Sequence, residues 1–196
     1  SLDINNLKED IYFEENLLEN SLKFKTTWGL FSPKAIDDGT ILLLKNLKLK
    51  NKEEVLDLGC GYGPIGLSIA KKYPESNCLM VDKDFVAVDY AKKNAKLNNI
   101  ENVSVLLSNG LDSIPDQQKF STVVTNLPAK TNKENYFIFF YDIFESLNFE
   151  GVFFVVAINN LRKFISKSLM EIFGNYTKVK QGKTYTVSMA IKRDRD

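Results

Sequence analysis

The sequence contains no histidine and only two cysteines, Cys60 and Cys78. Without imidazole, the side chain most often used to shuttle protons near neutral pH is missing. With no Cys-x-x-Cys pair either, the usual zinc ligands are absent, so no metal is expected. Two cysteines make no disulfide framework, which points to a cytoplasmic setting. No apolar run approaches the roughly 20 residues that cross a bilayer, so no membrane contact is expected. The most apolar stretch, 151–158, has the length of a strand. The first residues carry no basic segment leading into an apolar one, so no secretory signal is read. Nor is there an excess of one charge: the net is +1. Residues 1–20 hold six acids against Lys8, which leaves the remainder mildly basic, as a compact RNA enzyme or many other proteins would be.

The 196 residues suit one domain with a real core. From 53 onward, short apolar runs alternate with amphipathic ones. Strands are expected at 55–58, 77–81, 102–107, 120–125 and 151–158, and helices at 64–73, 84–98, 134–147 and 161–173. Pro64 suits a first helical turn and Asp84 an N-cap. Two closing strands, 175–180 and 184–191, are joined around Gln181 and Gly182 and must be antiparallel to each other. Alternating units of this kind predict an α/β fold: a seven-stranded, mostly parallel sheet with a reversed last strand and helices on both faces. Residues 1–50 are read as a small N-terminal β/α extension packed on the main domain, 51–196. Strands are expected near 11–13 and 22–25, a loop at 28–32, and a helix from Pro33 to about Leu44.

The strongest chemical signal is Val55-Leu56-Asp57-Leu58-Gly59-Cys60-Gly61-Tyr62-Gly63. A strand feeds a turn without side chains, where backbone N–H groups can approach a ligand closely. Gly61-x-Gly63-x-x-Gly66 also meets the dinucleotide fingerprint, with Asp82 ending the second strand as a ribose-binding acid should. Asp57 and the additional Gly59 tilt the balance. A dinucleotide has no need of an acid two positions before the glycines, whereas the cationic amino-acid moiety of S-adenosylmethionine does. Lys83 beside Asp82, and Asn109 just past the third strand, stand where the rest of such a ligand would lie. The Asn109 side-chain oxygen can accept from an adenine amine. Asn126-Leu127-Pro128 sits at the tip of the fourth strand.

These residues resemble the class I methyltransferases, and among them the short single-domain form of the small-subunit ribosomal RNA guanine-N2-methyltransferase family. The resemblance runs from about Phe24 to the C-terminus. It includes Gly29-Leu30-Phe31-Ser32, Ile36-Asp37-x-Gly39-Thr40, the glycine loop, Ala91-x-x-Asn94-x-x-Leu97-Asn98 and Asn126-x-Pro128. It implies a Rossmann-like fold with S-adenosylmethionine as cofactor, held by Asp57, Gly59, Cys60, Gly61, Tyr62, Gly63, Asp82, Lys83, Asn109 and Asn126. It also implies a target amine held by Asn126, Leu127 and Pro128, with ribosomal RNA or the small subunit as partner. Phe31, Lys130 and Lys133 become candidate substrate contacts. Lys183, Lys192, Arg193 and Arg195 become further phosphate contacts, and Asp37 and Thr40 pocket-shaping residues. Phe31 and Trp28 can equally be core aromatics. The family has proline where this chain has Leu127, which predicts a looser turn.

The chemistry tolerates the missing imidazole. A sulfonium methyl is already activated, so the task is to hold a nucleophile in line inside a dry pocket. An exocyclic guanine amine could be oriented by the Asn126 side-chain oxygen and the Leu127 carbonyl, and its proton leaves without a dedicated base. Cytosine C5 chemistry needs a nucleophilic cysteine, and neither Cys60 nor Cys78 is placed for it. Transfer to an adenine amine or a protein glutamine, or RNA-associated cofactor binding without catalysis, remain open alternatives.

Overall fold

A computed structural model describes residues 9–129 and 132–194. The chain opens with an antiparallel hairpin, β1 (Ile11–Leu17) and β2 (Asn20–Thr26), whose turn places Leu18 and Glu19 at positive φ. A loop leads to α1 (Asp38–Lys45). That helix begins later than the expected Pro33. Asp37 is its N-cap, accepting from the Gly39 and Thr40 N–H groups, and these caps fix its start.

The alternating part follows as β3 (Glu54–Leu58), α2 (Pro64–Lys72), β4 (Asn77–Asp82), α3 (Phe85–Leu97), β5 (Val103–Leu107) and β6 (Phe120–Asn126). Then come α4 (Lys133–Ser146), β7 (Leu147–Ile158), a short 3-10 turn, α5 (Arg162–Phe173), β8 (Thr177–Gln181) and β9 (Tyr185–Ile191). The seven strands lie in the order β5-β4-β3-β6-β7-β9-β8. β9 runs antiparallel to both β7 and β8, which is the expected reversed strand. β7 starts four residues before the expected 151, because Leu147 is buried and already pairs with Phe120.

Successive side chains leave opposite faces of a strand, so the sheet carries two cores. Val124, Phe154, Val156 and Val187 face α1, α2, α3 and the hairpin. Val123, Phe153, Val155 and Ala190 face α4 and α5. Leu17, Leu22, Phe24, Leu30 and Ile36 of the N-terminal segment share the first core with Val55 and Ile69.

The hairpin is tied on by an unusual contact. Asn98 accepts from the Lys23 N–H at 2.8 Å and donates to the Lys23 carbonyl at 2.8 Å. Asn94 does the same for Lys25, at 2.7 and 3.0 Å. Two side-chain amides one helical turn apart, about 6 Å, match alternate strand residues about 6.6 Å apart, so α3 presents a substitute strand edge to β2. Asn94 also donates to the Tyr62 carbonyl at 2.9 Å, so one side chain joins the hairpin to the glycine loop. No helix among the described residues is long and apolar enough to cross a membrane, and none of their acidic and cysteine side chains form a cluster that could hold a metal.

Candidate active site

The sheet's strand order reverses between β3 and β6, where the C-terminal ends of parallel strands open a crevice. Leu58 pairs with Thr125 across it, and the Thr125 hydroxyl donates to the Leu58 carbonyl at 2.9 Å. Gly59 and Asn126, each one residue further on, therefore stand side by side at the same rim.

The glycine loop follows β3. Gly59, Gly61 and Gly63 adopt φ of 67°, 56° and 105°, the left-handed region that disfavours side chains. A Cβ added at Gly59 or Gly61 would meet nothing within 4 Å, so the loop presents bare backbone to open space. Gly66 serves packing instead: a Cβ there would lie 2.4 Å from the Met80 sulfur. Asp82, at the end of β4, accepts from the Gly61 N–H at 2.9 Å through one oxygen and from the Asp84 N–H at 2.9 Å through the other. It thus shapes the loop, and each oxygen retains a further lone pair.

Asp57 is fully buried. One of its oxygens accepts from the Gly66 N–H at 2.9 Å, while Oδ1 has no hydrogen-bond partner. Burial pushes its carboxyl up to about 7, opposed by the Gly66 bond and reinforced by the nearby Asp82 charge. An orphaned buried carboxylate oxygen fits a cationic ligand that would supply the missing donor.

The side chains of the other two candidate loop residues are turned into the protein. The Cys60 side chain is buried, and burial raises its thiol well above the usual range, so it offers a ligand only backbone. Tyr62 is buried too. Its ring packs edge-on against Phe13 and Phe24, and its hydroxyl donates to the Ser32 carbonyl at 2.9 Å. It fastens the loop to the 28–36 segment rather than lining an opening. Lys83 and Asn109 are exposed at the rim, and the Asn109 carbonyl closes a turn with the Asp112 N–H.

At the tip of β6, the Asn126 Nδ2 donates to Asp37 Oδ2 at 2.9 Å and to the Thr40 hydroxyl at 3.1 Å. Among the described residues neither Asn126 Oδ1 nor the Leu127 carbonyl accepts a hydrogen bond. The expected looser turn at Leu127 is not what forms. Its N–H donates to the Val156 carbonyl at 2.8 Å, continuing the β6–β7 ladder, and its side chain is buried among the α4–α5 core. The Tyr136 hydroxyl from α4 donates to the Pro128 carbonyl, which pins the next residue. Three unrelated contacts thus replace the rigidity of a proline ring.

The remaining candidates spread around this rim. Phe31 is 70% exposed and Trp28 40%, with the Lys34 ammonium over the Trp28 ring, so neither is a core aromatic. Lys133 is exposed at the start of α4, with its ammonium 5.7 Å from the Phe164 ring centre. Lys130 and Arg195 lie outside the described residues. Lys183 and Arg193 are exposed. Lys192, expected to meet phosphate, instead donates to the Leu147 carbonyl at 2.9 Å and lies over Phe144 and Phe149. Tyr136 and Tyr185, whose ring lies against Gly39 beside the Asp37 cap, escaped sequence reading, because isolated tyrosines on a helix and a strand carry no local signature.

A conserved-domain match spans residues 21–189 and is that of the methyltransferase small domain. The chain belongs to this family. It is 30% identical to the uncharacterized protein YbxB of Bacillus subtilis, over 90% of this chain and 89% of that protein. It is also 30% identical to ribosomal RNA small subunit methyltransferase C of Buchnera aphidicola, over 94% of this chain but 58% of that protein. A solved structure of the T. thermophilus 16S rRNA N2 methyltransferase RsmC, in complex with AdoMet and guanosine, superposes with a TM-score of 0.84 at 27% identity. The match covers 93% of this chain and 50% of that one, so the chain spans about half the length of that methyltransferase. The methyltransferase small domain is therefore an enzyme domain with a Rossmann-like sheet, as its sequence led us to expect.

Proposed function

We propose that this chain transfers a methyl group from S-adenosylmethionine to the exocyclic N2 amine of a guanine in small-subunit ribosomal RNA. The observation that carries the reading is the Asn126 amide, anchored through both of its N–H bonds so that its oxygen remains for a ligand. That oxygen and the Leu127 carbonyl one residue on form a pair of acceptors, which suits a group with two N–H bonds. The likeness to an N2 methyltransferase solved with guanosine supports the same choice of amine.

The residues present fit the cofactor. Bound there, S-adenosylmethionine supplies an activated methyl group. Asp57 Oδ1 would take its ammonium, the open sides of Gly59 and Gly61 would admit its chain, and Asp82 would hold the ribose hydroxyls. Lys83 and Asn109 would flank the adenine, with the Asn109 amide oxygen accepting from its amine. Asn126 and Leu127 hold the target nitrogen by its two N–H bonds, which aims its lone pair at the methyl group. A proton then leaves a nitrogen made acidic by its new bond, and water suffices to take it. The exposed Phe31 ring offers a stacking surface for the base, and the exposed Lys133 offers a charge for a flanking phosphate. Incubation with labelled cofactor and small ribosomal subunits, followed by mapping of the modified base, is the direct test. Label on N2 of one guanine is the expected result, and label on adenine, on protein or nowhere rejects it.

A further inference from the structure

The Asn126 amide can be held in two senses, related by exchanging its oxygen and nitrogen. Only one of them leaves an acceptor for an amine. What selects that sense lies 89 residues earlier in the chain, at Asp37.

Asp37 Oδ2 accepts from the Gly39 N–H at 3.0 Å, the Thr40 N–H at 3.4 Å and Asn126 Nδ2 at 2.9 Å. The Tyr185 ring of β9 lies against Gly39 beside this carboxylate. An ionised carboxylate accepts and never donates. The amide group facing it must therefore be the NH2 end, and the Thr40 hydroxyl oxygen, itself buried, takes the second of its protons. Turning the amide over would set its oxygen against the carboxylate and forfeit that bond, while the Thr40 hydroxyl, which can donate as well as accept, holds either sense, so the choice falls to Asp37.

We infer that Asp37 is a positioning residue for methyl transfer: its carboxylate fixes the Asn126 amide with the oxygen toward the target, and so makes the site select an amine rather than a carbonyl. This rests on the reading of the site as an amine methyltransferase. The helix cap and the orienting contact are made by the same oxygen, so the start of α1 and the acceptor in the target pocket are set together.

The test uses labelled S-adenosylmethionine with small ribosomal subunits from cells lacking this chain. Asp37→Ser still caps the helix, but its shorter side chain falls short of Asn126 and leaves that amide to the Thr40 hydroxyl, which can donate or accept. We expect kcat to fall by about tenfold or more, the scale of one misplaced orienting hydrogen bond, with S-adenosylhomocysteine affinity and melting temperature near wild type. Asp37→Asn keeps the cap only by holding an oxygen where Oδ2 stands, and that oxygen faces the Asn126 NH2 as before, so it should recover at least about tenfold in kcat over Asp37→Ser. Asn126→Asp sets two carboxylates face to face and should also lose activity. A wild-type kcat in Asp37→Ser, a loss confined to KM or cofactor affinity, or an Asp37→Asn no better than Asp37→Ser overturns the assignment. If the wild-type chain itself labels no RNA, the amine-methyltransferase reading fails first and this inference falls with it.

Discussion

The Leu127 N–H donates to the Val156 carbonyl at 2.8 Å, a bond that the proline of related sequences has no hydrogen to make. Leu127 also fills space in the core beneath α4. Restoring the family residue by Leu127→Pro is therefore expected to harm this chain. It removes a ladder bond and a buried side chain, and should lower stability by about 2–4 kcal/mol in denaturant titration. An unchanged midpoint would mean that the turn tolerates both residues.

On the proposed reading, with Asp57 facing the ligand ammonium, cofactor binding should depend on pH. Its carboxyl is raised to about 7 by burial, and an ammonium ligand favours the ionised form. Binding of S-adenosylhomocysteine should release a proton below that pH and tighten as pH rises through 7. Calorimetry in buffers of different ionisation enthalpy reads this directly. Without ligand the sign reverses. Between about pH 4 and 7 the folded chain holds a proton that the unfolded chain has lost, so this group's contribution to stability falls as pH rises through that window. Asp57→Asn should flatten both dependences while weakening the ligand.

Asp82 has two duties, since it already holds the Gly61 and Asp84 N–H groups. Asp82→Ala should weaken S-adenosylhomocysteine by about 1–3 kcal/mol, the scale of hydrogen bonds to a charged group. It should also lower the melting temperature of the ligand-free chain, which a residue that only meets ribose would leave alone.

Asn94 and Asn98 look alike in sequence but not in consequence. Asn98→Ala frees the backbone of an exposed Lys23, to which water has access. Asn94→Ala strands the Tyr62 carbonyl as well, in a fully buried position. Unfolding measurements should show the second loss exceeding the first by about 1–2 kcal/mol. Only Asn94→Ala should weaken S-adenosylhomocysteine, through the glycine loop.

The sheet and the glycine loop were legible because they rest on local rules: apolar alternation, glycines where φ is positive, and acids at strand ends. The Asp37–Asn126 contact was not, since nothing in either segment states that residues 89 positions apart meet. The roles of Cys60, Tyr62 and Lys192 also lay in the packing. Cys60 and Tyr62 are buried, and the Tyr62 hydroxyl and the Lys192 ammonium are held by the Ser32 and Leu147 carbonyls from other parts of the chain. The start of α1 went astray for a local reason: Pro33 suits a first turn, but the Asp37 cap lies four residues later.

A two-stranded hairpin ordinarily exchanges its outward amide protons with solvent quickly, because nothing but fraying protects them. Here the Lys23 and Lys25 N–H groups are closed by side chains that exist in register only while α3 is helical. Their exchange should therefore follow the opening of α3 and not the fraying of the hairpin. The N-terminal ribbon then becomes a late-docking piece whose lock is cut on a distant helix.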